Sequence, residues 1–298
     1  MARITLLDGG MGQELVARSG DEPTPLWATR VMIDHPDLVR AIHDDYFAAG
    51  ATIATTNTYA VHHDRLDHFG LDHRFEELHR AALSAARAAR DAHGSGRIAG
   101  SIGPLVATYR DDVVLPAEEA APKIAEVARL LAPEVDVILL ETLSTVSQAD
   151  GALKGAVQPG KPVWLSVSVH DRQGDHLRSG EPLEDLRRLV DHYQPEAVLA
   201  NCSVPEVMQD AMGVLGTFGR PFGAYANGFT HISDRFLQNA PTVKELTHRQ
   251  DLTPERYAEF ALGWVGQGAT IVGGCCEVGP AHIAELARQI RARGHAIV

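Results

Sequence analysis

Apolar and polar positions alternate along the chain in two recurring patterns. Short runs rich in Val, Ile, Leu and Ala occupy residues 3–10, 51–59, 96–104, 135–142, 161–169, 195–203, 220–228 and 268–276. Such runs suit strands buried on both faces of a parallel sheet. Between them lie stretches with apolar residues at helical spacing, among them HPDLVRAIHDDYFAAG, RFEELHRAALSAARAARDAHG, AEEAAPKIAEVARLLAP and PERYAEFALGWVGQG. Several close on Gly or Pro, where a helix is expected to stop. Strand–helix alternation predicts right-handed βαβ units, and eight strands predict a closed α/β barrel, the (β/α)8 TIM barrel. The expected organisation is one domain over residues 1–298, with a long insertion at 229–256 after strand seven.

Composition narrows the function. The 298 residues exceed the ~250 that such a barrel takes, and 45% hydrophobic with 22% charged residues is ordinary for a globular chain. A formal charge of −12 speaks against nucleic-acid or anionic-membrane partners, which want a basic face. The N-terminus MARITLLDGGMGQEL lacks the apolar core of a signal peptide, and no apolar run approaches the ~20 residues of a membrane span. The expectation is a cytoplasmic protein with reduced thiols and small-molecule partners; homo-oligomerisation is left open.

Polar residues crowd the predicted strand tips, where a barrel builds its active site. All three cysteines are there: Cys202 after strand six, Cys275 and Cys276 after strand eight. Three thiolates suit zinc, and three protein ligands leave the open position of a catalytic site. Gly273 and Gly274 are expected to free the backbone so that adjacent thiols converge. The competing readings are three small core residues, or a vicinal disulfide, which is strained. A tris-thiolate zinc is a weak Lewis acid for water but suits holding another thiol as thiolate, which points to alkyl transfer to sulfur.

The motifs DGGMGQEL (8–15), TTNTY (55–59), GSIGP (100–104), Glu141–Thr142, NCS (201–203) and GGCC (273–276) follow in order, one per strand. Together they resemble the homocysteine S-methyltransferase family. The resemblance implies a zinc ion on Cys202, Cys275 and Cys276, with homocysteine sulfur as fourth ligand, methylated to methionine. It implies that Asp8 and Glu141 hold the substrate ammonium, and that Gly9, Gly10 and the loop at Ser203 lie near its carboxylate or thiol. Tyr59 matches a tyrosine that caps the zinc in betaine-using relatives, and Asn227 matches the asparagine of a YPN motif, here YAN. A helix cap is the alternative role for Asp8, a solvated loop charge for Glu141, and packing at the barrel mouth for Tyr59.

The loop after strand three, LVATYRDDVVLPAEEAAP, departs from the pattern of S-methylmethionine-using relatives. The donor is therefore expected to be a small sulfonium or ammonium compound, with Tyr109, Asp111 or Asp112 attracting its charge. The histidines in VHHDRLDHFGLDH (61–73) have irregular spacing and read as a solvated surface rather than a metal site, His170 sits near a strand tip, and Trp264 reads as packing. The alternatives are a methyltransferase acting on another thiol or selenol, and a non-catalytic zinc or thiol sensor.

Overall fold

The computed structural model describes residues 1–233, 235–237 and 242–298. Its centre is a sheet of parallel strands: β1 (Arg3–Leu6), β2 (Ile53–Thr55), β3 (Arg97–Ile102), β4 (Val137–Leu143), β5 (Val163–Val167), β6 (Ala197–Asn201), β7 (Phe222–Tyr225) and β8 (Ile271–Val272). Consecutive strands pair in order from β2 to β8, and β8 pairs β1 with Thr5 opposite Ile271. A parallel bridge from Leu7 to Ile53 and a 2.7 Å hydrogen bond from Thr52 N to Leu6 O join β1 to β2 and close the barrel. A further short strand, β9 (Ala296–Ile297), pairs the start of β1. It fills the base of that seam, where Val298 O accepts from Thr52 Oγ1 at 2.8 Å.

Side chains alternate across each strand, and this sorts the core into two layers. One face carries Ile98, Ile102, Ile138, Leu140 and Val198, which pack against the surrounding helices. The other fills the barrel lumen with Ile53, Ala99, Leu139, Trp164, Leu199 and Ile271. Two residues further along the first five of those strands stand Thr55, Ser101, Glu141, Ser166 and Asn201. The lumen is thus apolar at its base and polar at its C-terminal end, and that change of character places the site.

The strands are shorter than the apolar runs, whose ends become loops over the barrel mouth. An antiparallel hairpin, Val169–His170 with Gln173–Leu177, follows β5; its polar HDRQGDHL segment gives no strand signal. Trp264 is buried against Tyr257, as expected of packing. Asp234 and residues 238–241, within the expected 229–256 insertion, lie outside the described residues. The described flanks reach other loops: Ile232 N donates to Asp171, Arg110 to Leu237 O, and Lys244 pairs with Glu22. Among the described residues no helix is long and apolar enough to cross a membrane.

Candidate active site

Asp8 leaves the tip of β1 and is buried, its carboxylate oxygens accepting from Thr55 N at 2.6 Å and Thr55 Oγ1 at 2.7 Å. It does not cap the next helix: Met11–Ser19 has Gly10 at its N-cap and no side-chain cap bond. Glu141 continues the inward face of β4 and is no solvated loop charge; Ser101 Oγ donates to it, and Tyr225 OH donates at 3.1 Å. Burial pushes the Asp8 carboxyl up to about 7 and that of Glu141 up to about 6, despite these hydrogen bonds. The Glu141 charge adds to the rise at Asp8. A cation entering between two such acids is strongly favoured, because it returns both to the ionised form.

Cys202, Cys275 and Cys276 converge on the same cleft, their sulfurs within 4.8 Å of one another. Among the described residues they are the only group of three or more His, Cys, Asp or Glu close enough to share an ion. In this structure Cys202 and Cys275 are joined as a disulfide, and Cys276 is a free thiol. The expectation of three reduced thiols is corrected to that extent. The bond is not vicinal: the Cα atoms of Cys202 and Cys275 stand 5.6 Å apart, inside the range a disulfide bridges.

The residues fit a thiophilic ion once the disulfide is reduced. Cys202 Sγ and Cys276 Sγ are 3.8 Å apart, and the edge of a tetrahedron with ~2.3 Å zinc–sulfur bonds is about 3.8 Å. Burial, with Glu277 adding, pushes the Cys276 thiol up to about 12, so a bound cation has to displace its proton.

The convergence depends on tight backbone contacts. A Cβ on Gly274 would stand 2.2 Å from Val278 Cγ1, one on Gly273 2.4 Å from Leu7 Cβ. Neither glycine has a positive φ; the left-handed residues are Cys202 (φ 52°) and Glu277 (φ 64°). The glycines are thus required for space rather than for conformational freedom. Among the described residues, four of the seven non-glycine residues with positive φ, namely Trp27, Tyr109, Thr142 and Cys202, line the cleft. Such strain of ~1–3 kcal/mol each gathers at sites whose surroundings over-determine the backbone.

An aromatic wall borders the sulfurs. Trp27 and Tyr109 line the cleft, and the Phe236 ring bridges them with centroid distances of 5.6 and 5.8 Å. Tyr59 also lines it; its OH lies 3.1 Å from Thr108 Oγ1, and burial raises it to about 12. The cleft holds a cavity of about 120 Å3, room for a small substrate rather than for a drug-sized ligand.

Gly9 is on the cleft wall, whereas Ser203 and Asn227 stand behind Cys202. Asn227 Nδ2 donates to Cys202 O at 2.8 Å, and Ser203 Oγ meets both Val169 N and Val169 O. Of the residues expected to attract a donor cation, Tyr109 is in the cleft, while Asp111 and Asp112 are exposed and Asp112 pairs with Arg110. His170 accepts from Arg172 N within the hairpin. His62 is buried against Gly103 O and His63 pairs with Asp72, so part of that run is structural rather than solvated. The sequence reading missed Thr55, Ser101, Tyr225 and Asn201 as partners of the site, and Trp27 as its wall. The first four stand on the inward faces of their strands, a direction that becomes visible only once the apolar lumen residues are placed.

The geometry has close parallels. A profile of the family described as Homocysteine S-methyltransferase matches residues 5–290. The chain is 31% identical to Homocysteine S-methyltransferase of Escherichia coli (strain K12), over 95% of this chain and 94% of that one. It is 26% identical to Selenocysteine methyltransferase of Astragalus bisulcatus, over 93% and 90%. Crystal structures of the Escherichia coli homocysteine methyltransferase MmuM, in an oxidized and in a metallated form, each superpose with a TM-score of 0.76, at 28% identity and 96% coverage of both chains. The chain belongs to the homocysteine S-methyltransferase family.

Proposed function

We propose that this enzyme transfers a methyl group from a small sulfonium or ammonium donor to the thiol of homocysteine, giving methionine, with zinc on Cys202, Cys275 and Cys276. The observation that carries the reading is one cleft with three converging sulfurs, two buried acids of raised pKa and an aromatic wall. When bound, zinc would keep the acceptor sulfur a thiolate at neutral pH.

The chain's own residues do the rest. Asp8 and Glu141 take the ammonium of the amino acid, a buried charge-assisted pairing. The N-terminal amides of the helix Met11–Ser19, reached past Gly9 and Gly10, offer the carboxylate a partial positive charge. Trp27 and Tyr109 keep water out and present ring faces to a cationic donor. The acceptor sulfur forms the new bond to the methyl carbon. The donor's bond to that carbon breaks, its electron pair stays on the donor, which leaves neutral, and the thiol proton is released. Alignment and desolvation supply the acceleration.

A second reading keeps the site and changes the acceptor to a selenol, as favoured by the likeness to Selenocysteine methyltransferase. Reduced, zinc-loaded protein is offered homocysteine or selenocysteine with S-methylmethionine, trimethylsulfonium or betaine, and products are identified by mass. Methionine from homocysteine, lost in Cys202→Ala together with zinc, supports the first reading. Transfer to selenocysteine alone supports the second. Full zinc content and transfer in Cys202→Ala would sink both.

A further inference from the structure

Behind the aromatic wall lies an ion pair that the reaction above does not use. Arg178, at the end of the hairpin, meets both carboxylate oxygens of Asp171, at its turn, at 3.0 and 3.1 Å, and the side chains are 11% and 14% exposed. The guanidinium sits 4.9 Å from the centre of the Tyr109 ring. Tyr109 lines the cleft and Arg178 does not, so the cation meets the ring from outside the cleft lining.

Asp171 is bound on every side. Besides Arg178 it accepts from Ile232 N at 3.1 Å and from Val204 N, two residues beyond Cys202. Burial alone would push its carboxyl up; Arg178 more than offsets this and holds it below the usual carboxylate range, so the pair is ionised. Arg178 Nε also donates to Ser168 Oγ at 3.1 Å. The pair is where the hairpin and the loops after β3, β6 and β7 meet.

A ring face attracts a cation through its quadrupole. A bare guanidinium behind that ring repels any cation in front of it, across a medium of low dielectric constant where the repulsion is felt. We propose that the Asp171–Arg178 pair is a specificity-determining element for the methyl donor: Arg178 ties the loops behind Tyr109, and Asp171 cancels its charge so that the ring stays open to a positively charged donor.

The inference rests on the cationic-donor reading above, and its test uses binding so that the two can fail separately. Tetramethylammonium, an inert cation, is titrated calorimetrically into the reduced, zinc-loaded protein, and Asp171→Asn, Arg178→Gln and the double variant are compared with it. Asp171→Asn is expected to weaken binding about tenfold, the order set by one uncancelled charge close behind the ring. It should raise the KM of a charged donor in parallel and leave that of homocysteine within about twofold. The double variant, with no charge behind the ring, is expected to bind within about threefold of wild type.

Arg178→Gln keeps the carboxylate and is expected to bind tetramethylammonium no more weakly than wild type, which decides the matter even where Asp171→Asn does not fold. Equal losses in both single variants would mark the pair as packing alone and overturn the proposal. So would a double variant as weak as Asp171→Asn, or a wild type that does not bind the cation. Cation binding that follows the expected order without methyl transfer from any donor would overturn the proposed function and leave this inference standing.

Discussion

The side-chain amide of Asn201 holds Thr142 by two hydrogen bonds of 2.9 Å, one from Thr142 N to Asn201 Oδ1 and one from Asn201 Nδ2 to Thr142 Oγ1. Thr142 needs holding, because a β-branched residue at φ 60° is strained. Its neighbour is Glu141, and the neighbour of Asn201 is Cys202, itself at φ 52°. One amide therefore ties the acid end of the cleft to the sulfur end. Ser166 Oγ fixes the amide by donating to Asn201 Oδ1 at 2.9 Å.

Removing this clamp is expected to affect both ends of the cleft. Asn201→Ala leaves buried donors unpaired and the strain unsupported, which together cost about 2–4 kcal/mol. Denaturant unfolding should show that loss, and methyl transfer should fall in kcat as well as in KM for homocysteine. Thr142→Gly in the same background tolerates the positive φ and should recover about 1 kcal/mol. No recovery would mean that the amide does not act through the backbone of Thr142.

The Asp8 carboxyl gives a pH dependence with a definite sign. Its ordinary value is 3.8 and burial raises it to about 7 in the folded protein. Between those values the native state holds a proton that the unfolded chain has lost, so stability falls as pH rises through that window and is level above it. The cost above pH 7 is on the order of 4 kcal/mol. Asp8→Asn, which can still bond Thr55, should raise the Tm of the ligand-free protein at pH 8 and leave it unchanged at pH 4. The same variant should lose homocysteine affinity by at least about a hundredfold. In the wild type the homocysteine KM should climb as pH drops below about 7. A melting temperature insensitive to the substitution at pH 8 would refute the assignment of strain to Asp8.

The parts of the site legible in the sequence are those carried by local pattern. Apolar runs ending in Asp8, Glu141, Asn201 and Gly273 mark strand tips without knowledge of any contact. Ser101, Tyr225 and Ser166 sit within apolar runs and look like packing, because their inward direction depends on the register between strands. The wall is harder still: Trp27 and Phe236 are far apart in sequence, and a segment with little regular structure brings them to 5.6 Å. The pairing of Cys202 with Cys275 is an assembly property too, since it requires that β6 and β8 end close together.

That state yields a prediction about metal uptake. A disulfide between Cys202 and Cys275 occupies two of the three thiolates that zinc would need. Oxidised protein should take up less than about a tenth of an equivalent of zinc, and protein reduced with a phosphine about one equivalent, measured by atomic absorption after desalting. Cobalt in place of zinc should give a thiolate charge-transfer band that appears on reduction only. Stoichiometric zinc in the oxidised form would show that the ion sits elsewhere.

The two glycines ahead of the paired cysteines provide the sharpest structural test. A methyl on Gly274 meets Val278 Cγ1 at 2.2 Å, a side chain fixed beneath the loop and fully buried. Gly274 N also donates to Asp8 O at 2.9 Å, so the clash presses on both the sulfur and the acid side of the cleft. Overpacking of this kind costs about 1–3 kcal/mol, which a barrel of this size tolerates. Gly274→Ala should therefore fold, with a normal circular dichroism spectrum, yet bind zinc at least about tenfold more weakly because Cys275 and Cys276 are displaced. Val278→Gly removes both clashing atoms, Cγ1 at 2.2 Å and Cβ at 2.6 Å, and should restore zinc affinity in the Gly274→Ala background. If the glycine were needed for its backbone freedom instead, the Val278 substitution would not help.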